Sequence, residues 1–275
     1  MAPALTVLLP ILAAINPLLC SVGATPVDGR TSATGQVILG EVDTPNLTFT
    51  VDDDTITLPN TNTEIQTTSP PTWFESTLLA RRLLALSKTG SISSTFPSSH
   101  PHAGLPITLP EYIADCSDDD DGNPTVLALP VSTIVRNAAA GSNLSLSLDW
   151  WSHVGSAPPV FPGFPPSEAG LPRVTLIGYL ERLELRTEEE EDGVRGCFLE
   201  KHPDARAWVP GKKGAPHESY WARLVVEGVY WVGGFGGLQQ IGWVDLGGWR
   251  GVRKDGNGSG NGDGRGWGDV RLPGE

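Results

Sequence analysis

The 275-residue chain is short of positive charge: 19 Lys and Arg stand against 32 Asp and Glu, a formal net charge of −13. Such a balance argues against nucleic acid or an anionic membrane surface as a partner. Three further stretches, Gly90 to Thr95, Ile107 to Ile113 and Thr125 to Val131, contain no Lys or Arg at all. Cysteine is scarce too, with Cys20, Cys116 and Cys197 only, and neither of the later two has a His and an acid arranged beside it as a nucleophile site would need. No phosphate-binding P-loop, dinucleotide fingerprint, zinc-ligand spacing or hydrolase nucleophile motif is present. The run Asp118 to Asp121 lacks the alternating ligands and terminal Glu of an EF-hand loop, and with Glu188 to Asp192 it is read as a solvated loop. His100 and His102, two apart in a proline loop, lack a third ligand and are read as exposed.

An uncharged apolar run lies at the start. Residues 1–24 carry no charged side chain, and Leu5 to Leu19 is too short and too broken by Pro10 and Pro17 to cross a bilayer. Followed by Val22-Gly23-Ala24, it predicts a secretory signal peptide over 1–24 and no membrane span in the mature chain. Three sequons, at Asn46, Asn143 and Asn257, agree with export and N-glycosylation. With Cys20 removed, an oxidising compartment allows one disulfide between Cys116 and Cys197; two separate thiols are the open alternative.

What is abundant is glycine (33) and proline (24), which predicts long irregular segments around one core. Residues 25–70 are rich in Thr, Pro, Asp and Asn and are expected to be disordered, with only Gln36 to Leu39 and Leu47 to Val51 strand-like. Order is expected to start at a capping box, Thr72-Trp-Phe-Glu75, opening a helix on which Arg81, Arg82 and Lys88 complement the C-terminal dipole before Gly90. Gly90 to Thr95, Ile107 to Ile113 and Thr125 to Val131 read as strands. Ser132 caps a short helix to Ala140, and Asn143 to Trp150 alternates with Leu144, Leu146, Leu148 and Trp150 inward. Arg173 to Arg186 is a long strand with a phase change that places a bulge near Glu181 and Arg182, and Val194 to Lys201 a short helix.

The densest strand signal runs from Tyr220 to Val232, with Tyr220, Ala222, Leu224 and Val226 on one face and Gly228 breaking the phase as a bulge glycine does. Gly233, Gly234, Gly236 and Gly237 then bracket Phe235 in a tight turn before Ile241 to Val244. These periods predict a mainly β chain with short helices.

Three segments carry a resemblance: Phe198-Leu-Glu-Lys-His-Pro-Asp204, His217-Glu-Ser-Tyr-Trp-Ala-Arg-Leu224 and Val229-Tyr-Trp-Val-Gly-Gly-Phe-Gly236. They resemble the CREG-like family, a secreted branch of the pyridoxamine-phosphate-oxidase-like, FMN-binding split barrels, and Ala80-Arg81-Arg82-Leu83 is similar to the family's opening helix. While the Gly, Asn and Asp content of 253–275 is read as a disordered Gly-rich tail, the resemblance implies a six-stranded split β-barrel over 71–252 and a homodimer. It implies a non-catalytic glycoprotein that meets a protein partner or receptor, extracellular or in the vacuole-lysosome lumen.

In flavin-binding relatives the strand, helix and strand around residues 125–150 hold the cofactor, which makes Ser132, Arg136 and Asn137 the candidate FMN contacts here. The lack of Lys and Arg in the three opening strands argues against tight FMN binding, so no cofactor is expected. His202-Pro203 has a counterpart in haem-degrading members of the superfamily. We read His202 as a helix-terminal residue bonded to a carbonyl, with haem ligation as the alternative. His217 opens a strand, where it reaches across the barrel or lines a cleft with Arg223. An FMN- or haem-dependent oxidoreductase is the competing function, and a structural extracellular protein a third.

Overall fold

The computed structural model describes residues 48–51, 54–57, 70–117, 120–160, 165–256 and 263–275. The expected signal peptide over 1–24 and the sequons at Asn46 and Asn257 lie outside the described residues. Among the described residues no helix is long and apolar enough to cross a membrane.

Strands β1 (Thr48–Val51) and β2 (Asp54–Thr57) pair antiparallel as a separate hairpin. Helix α1 (Trp73–Leu86) follows, then β3 (Thr89–Thr95), β4 (Pro106–Ala114) and β5 (Thr125–Ala128). Next come α2 (Thr133–Ala139), β6 (Leu144–Asp149), β7 (Arg173–Arg182) and α3 (Glu188–Lys201). Last are β8 (Tyr220–Val232), β9 (Ile241–Trp243) and α4 (Leu246–Gly251). The sheet order is β5-β4-β3-β6-β7-β8-β9, and β5 also pairs with β8. Six antiparallel strands therefore close a barrel, and β9 extends β8 outside it.

Inside, alternation does what the sequence predicts. Leu144, Leu146 and Leu148 of β6, Val174 and Leu176 of β7, and Leu224, Val226, Val229 and Trp231 of β8 share one core, into which α1 delivers Ala80, Leu83 and Leu84. Each such side chain contributes roughly 1.5–3 kcal/mol on burial.

The phase change in β8 falls where Gly228 marks it. Pairing passes from Ile177↔Gly228 to Gly178↔Val226, so Glu227 is the extra residue of a bulge. This also corrects the expected bulge at Glu181 and Arg182, which keep regular partners in Arg223 and Ala222. A Cβ on Gly178 would stand 1.8 Å from the Val225 carbonyl oxygen, so backbone and not a side chain would have to yield. We expect Gly178→Ala to destabilise the chain by about 3 kcal/mol, the upper end for an overpacked site, read as a lowered urea midpoint.

Four other expectations change. The acidic run Glu188 to Asp192 is not a loop but the first turn of α3, where Thr187 and Glu190 form a complete capping box and carboxylates meet the helix dipole's positive end. At α1 only half of the expected box forms: Thr72 accepts from the Glu75 amide, while the Glu75 carboxylate faces Arg265 at 3.5 Å. Arg81 and Arg82 are not solvated dipole complements. Arg81 is wholly buried, and Arg82 pairs with Glu275. The tail, expected to be disordered, packs back where it is described: Val270 sits with Leu78 and Val252, and Leu272 reaches the main core. Its apolar residues are too sparse to show a period, yet tertiary contact buries them.

Candidate functional site

The candidate cofactor residues sit on and around α2. Leu129 to Ser132 turns the chain from β5 into this helix, with the Ser132 amide bonded to the Leu129 carbonyl at 2.8 Å. Ser132 is the N-cap residue, but its hydroxyl makes no cap bond and reaches the Glu111 carboxylate at 3.3 Å instead. Glu111 lies on β4, and burial pushes its carboxyl above the usual range, with the Ser132 bond pulling the other way. Asn137 turns inward, is buried, and donates from Nδ2 to Ser94 Oγ on β3 at 2.9 Å. Arg136 is exposed, and its guanidinium reaches the hydroxyl of Thr133 at 3.4 Å.

The structure thus places the three residues on one short helix without aiming them at one point. Around α2 the Ser132 hydroxyl is engaged with the Glu111 carboxylate and the Asn137 amide with Ser94, which leaves Arg136 as the cation among the three candidates. This donor set does not fit an FMN phosphate. Glu111, which the sequence reading passed over, is the acidic side chain within a strand already noted for lacking bases.

The outward neighbour of Glu111 belongs to a second cluster. Tyr112 stacks on His202, with ring centres 4.4 Å apart, and its hydroxyl donates to Asp204 Oδ2 at 2.7 Å. That bond, and then the carboxylate's charge, raise the Tyr112 pKa, while the same bond lowers that of Asp204. His202 is the C-cap of α3, is 4% exposed, and also packs on Phe198. Its Nε2 lies 2.8 Å from the Ile113 carbonyl; a carbonyl only accepts, so Nε2 carries the proton. The carbonyl-bonded reading of His202 therefore matches the geometry. A ring held between Tyr112 and Phe198 with Nε2 so engaged does not fit an axial haem ligand.

One turn earlier on α3, Cys197 forms a disulfide with Cys116, just beyond β4. Lys201 bonds back to the Ala85 carbonyl at 2.6 Å, and burial lowers its pKa. Phe198, Ala205, Val209 and Trp221 then close a second, smaller core over Ala114 and Leu127. These contacts fix α3 and the His202 turn to the barrel wall.

The remaining sequence-marked residues lie apart. His100 and His102 pack with Phe96 in the β3–β4 loop, and among the described residues no group of three or more His, Cys, Asp or Glu converges to hold a metal. His217 lines a surface hollow with Lys212 and Glu218, whereas Arg223 pairs with Glu181 at 2.7 Å on the barrel wall. Asn143 is exposed, immediately before β6.

No curated protein matches the sequence. Among solved structures, the chain is similar to a protein of unknown function from Agrobacterium tumefaciens, at 22% identity, covering 68% of this chain and 64% of that one, with a TM-score of 0.46. It is also similar to a haem-binding protein from Mycobacterium smegmatis, at 19% identity, 66% and 60% coverage and a TM-score of 0.46. A third likeness is to an FAD-binding protein from the same organism, at 13% identity, 55% and 88% coverage and a TM-score of 0.34. The family model described as "CREG, beta-barrel" matches residues 71–247, more than half of the chain. That span takes in α1, every barrel strand, the disulfide and the His202 turn: the chain belongs to the CREG β-barrel family.

Proposed function

We propose that this chain is an exported, N-glycosylated recognition protein, a non-catalytic member of its family that acts by binding other proteins in the secretory, endolysosomal or vacuolar pathway. The observation that carries this reading is the Glu111–Ser132 contact at 3.3 Å, because a carboxylate bonded to one of the three candidate flavin contacts disfavours a phosphate beside it. The engaged Nε2 of His202 speaks in the same direction for haem. Export is supported by the disulfide, by the exposed Asn143 sequon and by the uncharged start of the sequence.

We propose further that the protein pairs with a second copy through the outer barrel face. Pro110, Ser91, Ser147, Thr175, Tyr230 and Trp243 stand in one cross-strand row from β4 to β9, and none is charged. In a molecule of net charge −13, two copies approach most readily over such a face. At its end Trp243 is 62% exposed, its ring edge-on to Tyr230 at 5.2 Å.

An absorption spectrum of the chain purified from a secreting host, then titrated with FMN and haem, tests the reading. We expect no visible band to survive gel filtration, and an eluted mass of two copies. A retained band near ~450 nm or ~400 nm would overturn it in favour of the competing function, a flavin- or haem-dependent oxidoreductase.

A further inference from the structure

We propose that the cleft between Trp151 and Arg173, at the end of the barrel where β7 begins, is a binding site for a carboxylate-bearing sugar. The cleft has a volume of about 570 Å³, within the range of small-molecule sites, and is walled by Trp151, Ala157, the segment Pro166 to Ala169, and Arg173. None of these residues takes part in the α2 region or the His202 turn.

Arg173 is the reason to expect an acidic ligand. Its Nη1 is buried, and among the described residues it has no hydrogen-bond partner and the guanidinium enters no ion pair. This is unexpected in a chain with 32 acidic residues. The carboxylate nearest by register is Asp149, directly across the β6–β7 ladder, but its Oδ1 accepts the Ser152 amide at 2.9 Å and so holds the turn after β6 instead. The planar fork of donors that suits a carboxylate is thus left without one.

Trp151 supplies the second element. The Arg173 guanidinium carbon lies 5.5 Å from its ring centre, which orients the fork, and the indole is 41% exposed. Its neighbour Trp150 is buried, bonded to the Pro273 carbonyl and stacked on His153, so that the two adjacent tryptophans divide between core and cleft. An exposed indole face is apolar and flat, and takes the C–H face of a sugar ring. Glu168 and Ser167 complete the wall. The Glu168 carboxylate accepts hydrogen bonds from the hydroxyl groups of a sugar ring, which offsets its repulsion of an acidic ligand in a way that a bare inorganic anion does not match. A ring bearing both hydroxyls and a carboxylate satisfies Trp151, Glu168 and Arg173 together.

Isothermal titration of the full chain with trigalacturonic acid tests this, with maltotriose as the neutral sugar and inorganic phosphate as the anion without a ring. Saturable binding of the uronate, with maltotriose and phosphate each at least about tenfold weaker, is the expected result. Arg173→Gln and Trp151→Ala should each weaken uronate binding by about tenfold or more at an unchanged urea midpoint. Arg173→Lys, which keeps the charge and loses the fork, should fall between, and it serves as the test if Arg173→Gln does not fold. The proposal is overturned if the uronate does not bind, if either control binds as well, or if the Arg173 and Trp151 variants bind like the parent chain. The outcome is independent of whether FMN or haem is retained.

Discussion

Replacing both Cys116 and Cys197 with serine is expected to lower the stability of the chain by about 4 kcal/mol. The bond spans 81 residues, and a loop of that length loses much of its freedom in the unfolded state when its ends are tied. The position adds a local consequence. Cys116 follows the end of β4 and Cys197 lies in α3, so the cross-link is the covalent part of a seam otherwise made by Phe198, Trp221 and the Lys201 and His202 contacts to backbone carbonyls. Reduction should therefore loosen α3 before the barrel. Hydrogen exchange should show the amides of α3 and of Asp204 to Ala207 losing protection first, while those of β6, β7 and β8 hold. A double variant with a parental urea midpoint, or with α3 as protected as before, would show that packing alone holds the seam.

How far the sequence could reach is clearest where period and chemistry coincide. The alternation of β8 and the break at Gly228 are local facts, because side chains on a strand must choose a face and one bulge residue exchanges the faces. The pairing partner at that bulge was not legible. Gly178 reads as one more member of the apolar face of β7, and only the register against β8 shows that the Val225 carbonyl occupies the space of its side chain. The acidic run before α3 illustrates a different limit. Four glutamates after a threonine are both a solvated segment and a good first helical turn, and Glu190, three residues after Thr187, was the signal favouring the latter. In the candidate site, Ser132, Arg136 and Asn137 were found as residues but not as directions. Nothing in the order Ser-Thr-Ile-Val-Arg-Asn says that one donor turns to Ser94, one to Glu111 and one to solvent.

Substituting Arg81 should have the largest effect of any single side-chain change in this protein. The guanidinium is wholly buried and donates to the carbonyls of Trp249 at 3.0 Å, Val252 at 3.1 Å and Asp120 at 2.9 Å, and also to the Asp120 carboxylate. It lies 5.2 Å from the centre of the Trp249 ring, and Asp115 stands 3.9 Å away. Asp120 in turn accepts from the Trp267 indole and from the Lys254 amide, so one buried cation joins α1, the β4–β5 connection, α4 and the C-terminal segment. Asp120 holds this place with φ at +46°, a conformation that aspartate tolerates better than most residues. Arg81→Leu keeps much of the volume but strands three carbonyls and two carboxylates. A loss of about 3–5 kcal/mol is expected, the cost of breaking a buried pair by removing one partner.

The pH dependence separates this mechanism from simple loss of packing. Burial raises the Asp115 carboxyl above its ordinary pKa, and the charge of Arg81 opposes that rise. A carboxyl raised in the folded state takes up its proton there first, so its contribution to stability grows as pH falls towards the unfolded value and is lost as pH rises through the folded one. Without Arg81 the rise should be larger. The deficit of Arg81→Leu, measured as the difference in unfolding free energy from urea titrations, should therefore be smaller at about pH 5 than at about pH 7. A deficit that is equal at both would assign the loss to the stranded carbonyls and not to the carboxylates, whereas a loss below about 1 kcal/mol would mean that the cluster is hydrated and that the tail is held by Val270 and Leu272 alone.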